Sequence, residues 1–414
     1  MKIPFHALAA AVVLAVAAPA IAQGPPPHLP AQLLAETADP ARVDYLVGNV
    51  VAHGPVTGGF EFKFAEAFYD GGLFLMGESH GAAAPQHFDL ALLTHLNARI
   101  GLVDYLAEVD PVQALWLNRY LAEGDEALLD RVFDLWNGGS QWANNAYEDK
   151  VRAIRALNLT LADDRRIRIH GIDAIQDWPL LAEWVRDAGA TLDMDGYQDA
   201  DTATRARLAA DALKAVPDAG VHADMVAMLE RQASATDREQ VIFENYAVLV
   251  RGKALGARPA YGLWGISHVL QAPVNGQAKF AGMVRASDLP AAANVRSIAL
   301  YGLDSAYQFP VPTPSGVVRV RFTDGNVDGP VVKLEGSADL RDASRPGHLT
   351  VFGIDAEGSP YRHGQDLVAL RSSMDPGIVP DAGTPTTDYF QYVGVYHGSD
   401  WAMPREGAGQ VITP

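Results

Sequence analysis

Gly77-Glu78-Ser79-His80-Gly81 places a carboxylate, a hydroxyl and an imidazole in one tight polar turn. Glu108 and His268 add a second carboxylate and a second imidazole farther along the chain. A histidine titrates near neutral pH and can take a proton from water. A neighbouring carboxylate can fix its tautomer and stabilise the imidazolium that forms. Two histidines and a carboxylate could equally hold a divalent metal ion with a position left open for water, and the ligands would then be His80, His268 and Glu78.

The elements around these residues must bring them together. Residues 73–77 read as a short buried strand, and 86–99 carry Phe88, Leu92 and Leu96 at helical spacing. Residues 101–108 read as a second strand ending in Glu108. Pro111 opens an amphipathic helix that closes near Gly124. Further helix is expected over 128–136 and 147–157. Residues 167–173 form a third strand ending in Asp173, and 260–268 a fourth ending in His268. Strands separated by helices imply parallel βαβ units with right-handed crossovers, whose C-terminal strand ends share one rim. Glu78, His80, Glu108 and His268 would meet there. The fold class is therefore α/β, a mainly parallel sheet flanked by helices. A helical insertion is expected at about 178–255, and a β-rich C-terminal portion from residue 295 on.

The insertion carries Arg238 and Asn245, seven residues apart on one helix face, which could point at the rim and bind a substrate oxyanion. The alternative is a solvated face on which Arg238 and Glu239 pair locally. The turn at 77–81 also matches G-x-S-x-G, and Ser79, Asp173 and His268 come in the order of a nucleophilic triad. Little chain precedes the first strand for the strands and oxyanion loop that a nucleophile elbow needs upstream.

Composition narrows the function classes. With 414 residues, 49% of them hydrophobic, the chain can bury a large core. Lys2, the apolar run 7–18 and the small residues Ala20-Ile21-Ala22 read as a signal peptide over 1–22, with a single domain over 23–414. The expected location is the periplasm, with secretion as the alternative, and no later segment reads as a membrane span. The absence of cysteine rules out disulfides, a thiolate nucleophile and cysteine metal ligands. Fifty acidic residues against 32 basic ones give a net charge of −18, which repels phosphate backbones and anionic lipid. The expected partner is a small-molecule substrate, not nucleic acid or a membrane.

Four pieces over residues 70–272 resemble the erythromycin esterase-like proteins and their wider ChaN-like and Tiki/TraB-like relatives. They are Gly77-Glu78-Ser79-His80-Gly81, the strand ending at Glu108, the strand ending Gly171-Ile172-Asp173, and the block from Asp237 through Gly265-Ile266-Ser267-His268. The resemblance implies an α/β fold and an exported hydrolase that cleaves an ester or related acyl bond by histidine-activated water. Glu78 and His80 match the first motif, Glu108 the acidic strand end, and His268 the second motif, with Arg238 a candidate electrostatic stabiliser. A divalent metal is the one cofactor the resemblance leaves open. A periplasmic metal- or haem-binding protein on the same scaffold and a Ser79-dependent esterase are the alternatives. Two departures stand out: only Ser79 separates Glu78 from His80, where erythromycin esterases typically have two residues. The basic residue that follows their first motif has no match in 82–89.

Overall fold

A computed structural model describes residues 27–412 apart from 218, 236, 253 and 315. The expected signal segment 1–22 lies outside the described residues. In chain order the first strands are β1 (Val50–Pro55), β2 (Glu61–Phe62), β3 (Leu73–Glu78), β4 (Asp104–Ala107), β5 (Arg168–Gly171), β6 (Ala260–Gly265) and β7 (Val295–Leu303). The C-terminal portion adds β8 (Tyr307–Thr313), β9 (Gly316–Phe322), β10 (Val332–Leu334), β11 (His348–Gly353), β12 (Leu370–Ser372), β13 (Tyr392–His397) and β14 (Gln410–Ile412).

The main sheet runs β2-β1-β11-β13-β7-β3-β6-β4-β5. From β13 to β5 every pairing is parallel, and β11, β1 and β2 extend the far edge antiparallel. This is the α/β architecture expected from the sequence. β3 lies inside the sheet with all six residues buried, as a parallel strand covered by helices on both faces requires. On one face Phe88, Leu92, Leu96, Leu117 and Phe133 pack from three helices. On the other, Ile242, Tyr246 and Phe280 pack with Trp264.

Local chemistry sets the helix ends near the rim. Asp110 caps Pro111–Glu123 through a reciprocal capping box with Gln113, and Gly124 ends that helix with φ +75°. The helices between β5 and β6 include Trp178–Asp187, Thr202–Lys214, Ala223–Ser234 and Arg238–Arg251. The C-terminal portion does two things. β7, β11 and β13 complete the main sheet, whereas β8, β9 and β14 form a separate sheet of their own.

One sequence expectation needs correction. The fourth strand stops at Gly265, and His268 sits on the 3-10 turn Ile266–Val269. Residues 50–62 form β1 and β2 at the sheet edge.

Candidate active site

Because β3, β6, β4 and β5 are parallel neighbours, their C-terminal ends share one rim. Glu78 closes β3, and His80 follows in the turn. Gly81 has φ +101°, and a Cβ there would lie 2.5 Å from the Gln308 carbonyl oxygen. Glycine permits that close approach, and Gly81 O accepts from Gln308 N at 2.8 Å and Ala402 N at 2.7 Å. β8 and the C-terminal segment thereby hold the turn in place.

Glu78 Oε1 lies 3.1 Å from His80 Nδ1 and accepts from Gln86 Nε2 at 3.1 Å. His80 Nε2 lies 3.5 Å from Glu108 Oε2. A matching pair stands opposite: His268 Nδ1 is 3.0 Å from Glu239 Oε2, and its Nε2 is 3.5 Å from Glu108 Oε1. Glu108 thus sits between two carboxylate–imidazole dyads. Its Oε2 accepts from Gly265 N at 2.6 Å, and its Oε1 from Arg238 Nη2 at 2.9 Å. A Cβ on Gly265 would stand only 3.1 Å from His80 Nε2, so glycine keeps the space between the dyads.

Arg238 is the hub of the charges. It grips Asp173 with Nε at 2.9 Å and Nη2 at 2.7 Å, and Nη1 lies 3.1 Å from His268 Nε2. A guanidinium only donates, so His268 Nε2 accepts and the ring proton sits on Nδ1, facing Glu239. The five expected residues Glu78, His80, Glu108, Arg238 and His268 are therefore brought together.

Burial and charge set the protonation. Burial works against an imidazolium at His80, but Glu108 and Glu78 outweigh it and raise the group above its ordinary value despite Arg238. Burial also works against an ionised Glu108, yet His80, His268 and Arg238 overcome it and lower the carboxyl to about 2. Glu78 goes the other way: burial raises it, with His80 and Lys150 pulling back. Two carboxylates on either side of one imidazole are thus driven apart.

The structure does not fit the other ligand sets. The candidate metal set His80, His268 and Glu78 fails on its donors. The guanidinium of Arg238 occupies His268 Nε2, and Glu78 Oε1 is turned to the N–H groups of His80 and Gln86, which leaves His80 Nε2 as the one open ring nitrogen of the three. Among the described residues no group of three histidine or acidic side chains could hold a metal ion. The serine triad is not assembled either. Asp173 holds Arg238, His268 faces Glu239, and Ser79 makes no side-chain hydrogen bond to a histidine. Asn245, expected at the rim, donates instead to the backbone carbonyls of Ile172 and Asp173 at 3.1 and 3.2 Å, tying down the loop that carries Asp173.

Sequence reasoning missed several members. Glu239, read as part of a solvated face, is buried, and its carboxyl is held low by His268, Lys279 and Arg238 against burial. Trp142 stands edge-on to His80 with centroids 4.4 Å apart. With the side chains of Ser79 and Arg238 it is among the partly exposed groups of an otherwise buried site. A groove of about 330 Å³ lined by Asp224, Arg231, Phe243 and Glu244 holds none of these residues. No described helix is long and apolar enough to cross a membrane.

Solved structures share this fold. A protein from Bacillus cereus matches with TM-score 0.60 at 14% identity, over 88% of this chain and 98% of that one. A succinoglycan biosynthesis protein matches with TM-score 0.58 at 11% identity, again over 88% and 98%. A mutant of erythromycin esterase EreC in its open conformation matches with TM-score 0.52 at 14% identity, over 80% of this chain and 92% of that one. No family model and no curated protein matches the sequence. The likeness to erythromycin esterase-like proteins seen in the motifs thus extends to the fold.

Proposed function

We propose that the chain is an exported hydrolase, one domain from residue 23 on, that cleaves an ester or related acyl bond of a small molecule. The observation that carries this reading is the central Glu108 between two carboxylate–imidazole dyads and clamped by Arg238. Neutral His80, oriented through Nδ1 by Glu78, takes a proton from water on Nε2 as the water oxygen bonds to the acyl carbon. Glu78 and Glu108 stabilise the imidazolium, which returns the proton to the leaving alkoxide. Arg238, held in place by Asp173 and His268, sets fixed positive charge beside the developing oxyanion. The erythromycin esterase named among the structural neighbours supports an ester as the bond cleaved, and the signal-like first 22 residues support the periplasm.

The test is His80→Ala assayed against a panel of small esters. General-base catalysis supplies roughly 100- to 10,000-fold, so turnover should fall by that factor. In the unsubstituted protein the rate should climb with pH as His80 loses its proton, along a limb lying above the ordinary histidine value because the group is raised. Turnover unchanged in His80→Ala would sink the assignment.

A further inference from the structure

Behind the Glu78–His80 pair lies a second layer that the proposed chemistry does not use directly. Gln86, Asp89, Tyr105 and Lys150 are all buried. Lys150 Nζ donates to Asp89 Oδ2 at 2.6 Å, to the Tyr105 hydroxyl at 3.1 Å and to Gln86 Oε1 at 2.8 Å. It also lies 4.0 Å from the centroid of the Tyr147 ring. Asp89 supplies the counter-charge, so the contact to Gln86 is not needed to neutralise the lysine. Its effect is directional. An ammonium has only donors, so the Gln86 amide must turn its oxygen to Lys150 and its NH₂ to Glu78, where it donates to Oε1 at 3.1 Å. Glu78 Oε1 then receives two N–H groups, from Gln86 and from His80, while Oε2 has no partner. The doubly bonded oxygen anchors the carboxylate beneath the imidazole.

We propose that Lys150 and Gln86 are positioning residues: through the Gln86 amide, Lys150 fixes the Glu78 carboxylate and with it the Nδ1–H tautomer and the orientation of His80. The consequence for rate rests on the reading of His80 as the base. The consequence for the tautomer does not.

The test uses Gln86→Leu, which leaves Lys150 on Asp89 and Tyr105, together with Lys150→Met. Ring ¹⁵N spectra of His80, taken at a pH above its titration, should show the Nδ1–H form in the unsubstituted protein. Both variants should show a mixture of tautomers. Against any ester the protein turns over, kcat should fall about 10- to 100-fold with KM within about twofold, since misplacing a catalytic group by about 1 Å has that size of effect. A folded Gln86→Leu protein with an unchanged His80 tautomer would overturn the proposal even if Lys150→Met failed to fold. If instead His80→Ala keeps full turnover while the tautomer shifts in Gln86→Leu, the relay stands and the base assignment falls.

Discussion

Glu108→Gln tests the centre of the site most sharply. Both carboxylate oxygens accept, Oε2 from Gly265 N at 2.6 Å and Oε1 from Arg238 Nη2 at 2.9 Å. An amide has one acceptor oxygen, so its NH₂ must face one of those donors. Lowering the carboxyl from 4.5 to about 2 corresponds to stabilisation on the order of 3 kcal/mol for the folded, ionised state. The folded value is depressed, so that stability is present above the unfolded value and lost as pH falls toward the folded one. Roughly a third to a half of it should be gone one unit below the ordinary carboxyl value. Urea unfolding followed by tryptophan fluorescence should therefore show the variant less stable by roughly 3 kcal/mol at neutral pH, with the gap narrowing near pH ~3.5. The second readout is the rate limb of His80. Its imidazolium is favoured by Glu108 first and Glu78 next, and opposed by Arg238, so the limb should move to lower pH in the variant. Equal stability at neutral pH, or a limb that stays in place, would refute this account of the site's charges.

Two further substitutions separate competing structures. Ser79→Ala should keep turnover within about twofold, and a serine-directed phosphonate should leave Ser79 unlabelled, because that hydroxyl has no histidine partner. Stoichiometric labelling at Ser79 with loss of activity would reinstate the nucleophile. Gly81→Ala should lower the thermal midpoint by several degrees, since its Cβ would meet Gln308 O at 2.5 Å at a φ of +101°. An unchanged melting curve would mean that the turn does not bear on β8.

The strand ends were legible because each is a short apolar run that stops at a polar residue, so Glu78, Glu108 and Asp173 could be placed on one rim without coordinates. The order in which the strands lie was not. β6 enters between β3 and β4 across more than 150 residues of chain, and alternation within a strand carries no information about its neighbour. His268 was placed one element too early because Ile266 continues the apolar run beyond Gly265. Glu239 was hidden by helical periodicity. Arg238 and Glu239 are the first two helical residues after the Asp237 cap, and at a helix end adjacent side chains can both reach past the last turn toward the rim. Lys150 lies in a stretch, 147–157, that read only as helix. It is buried because Asp89, 61 residues away, meets it, and pairing at that separation leaves no local signal.

The two histidines look equivalent in the chain, since each closes a Gly-x-x-His element, and the structure makes them unequal. Each has a carboxylate on Nδ1 and Glu108 beyond Nε2. The difference is Arg238, which donates to the Nε2 of His268 and, held by Asp173, cannot serve both rings. His268 is therefore committed as an acceptor. His80 Nε2 faces only the acceptor Glu108, so in the neutral ring it has a lone pair to offer and in the charged ring an acceptor to meet. A group that cycles between those two states is what water activation requires. The proposal of His80 as the base thus rests on where Arg238 stands.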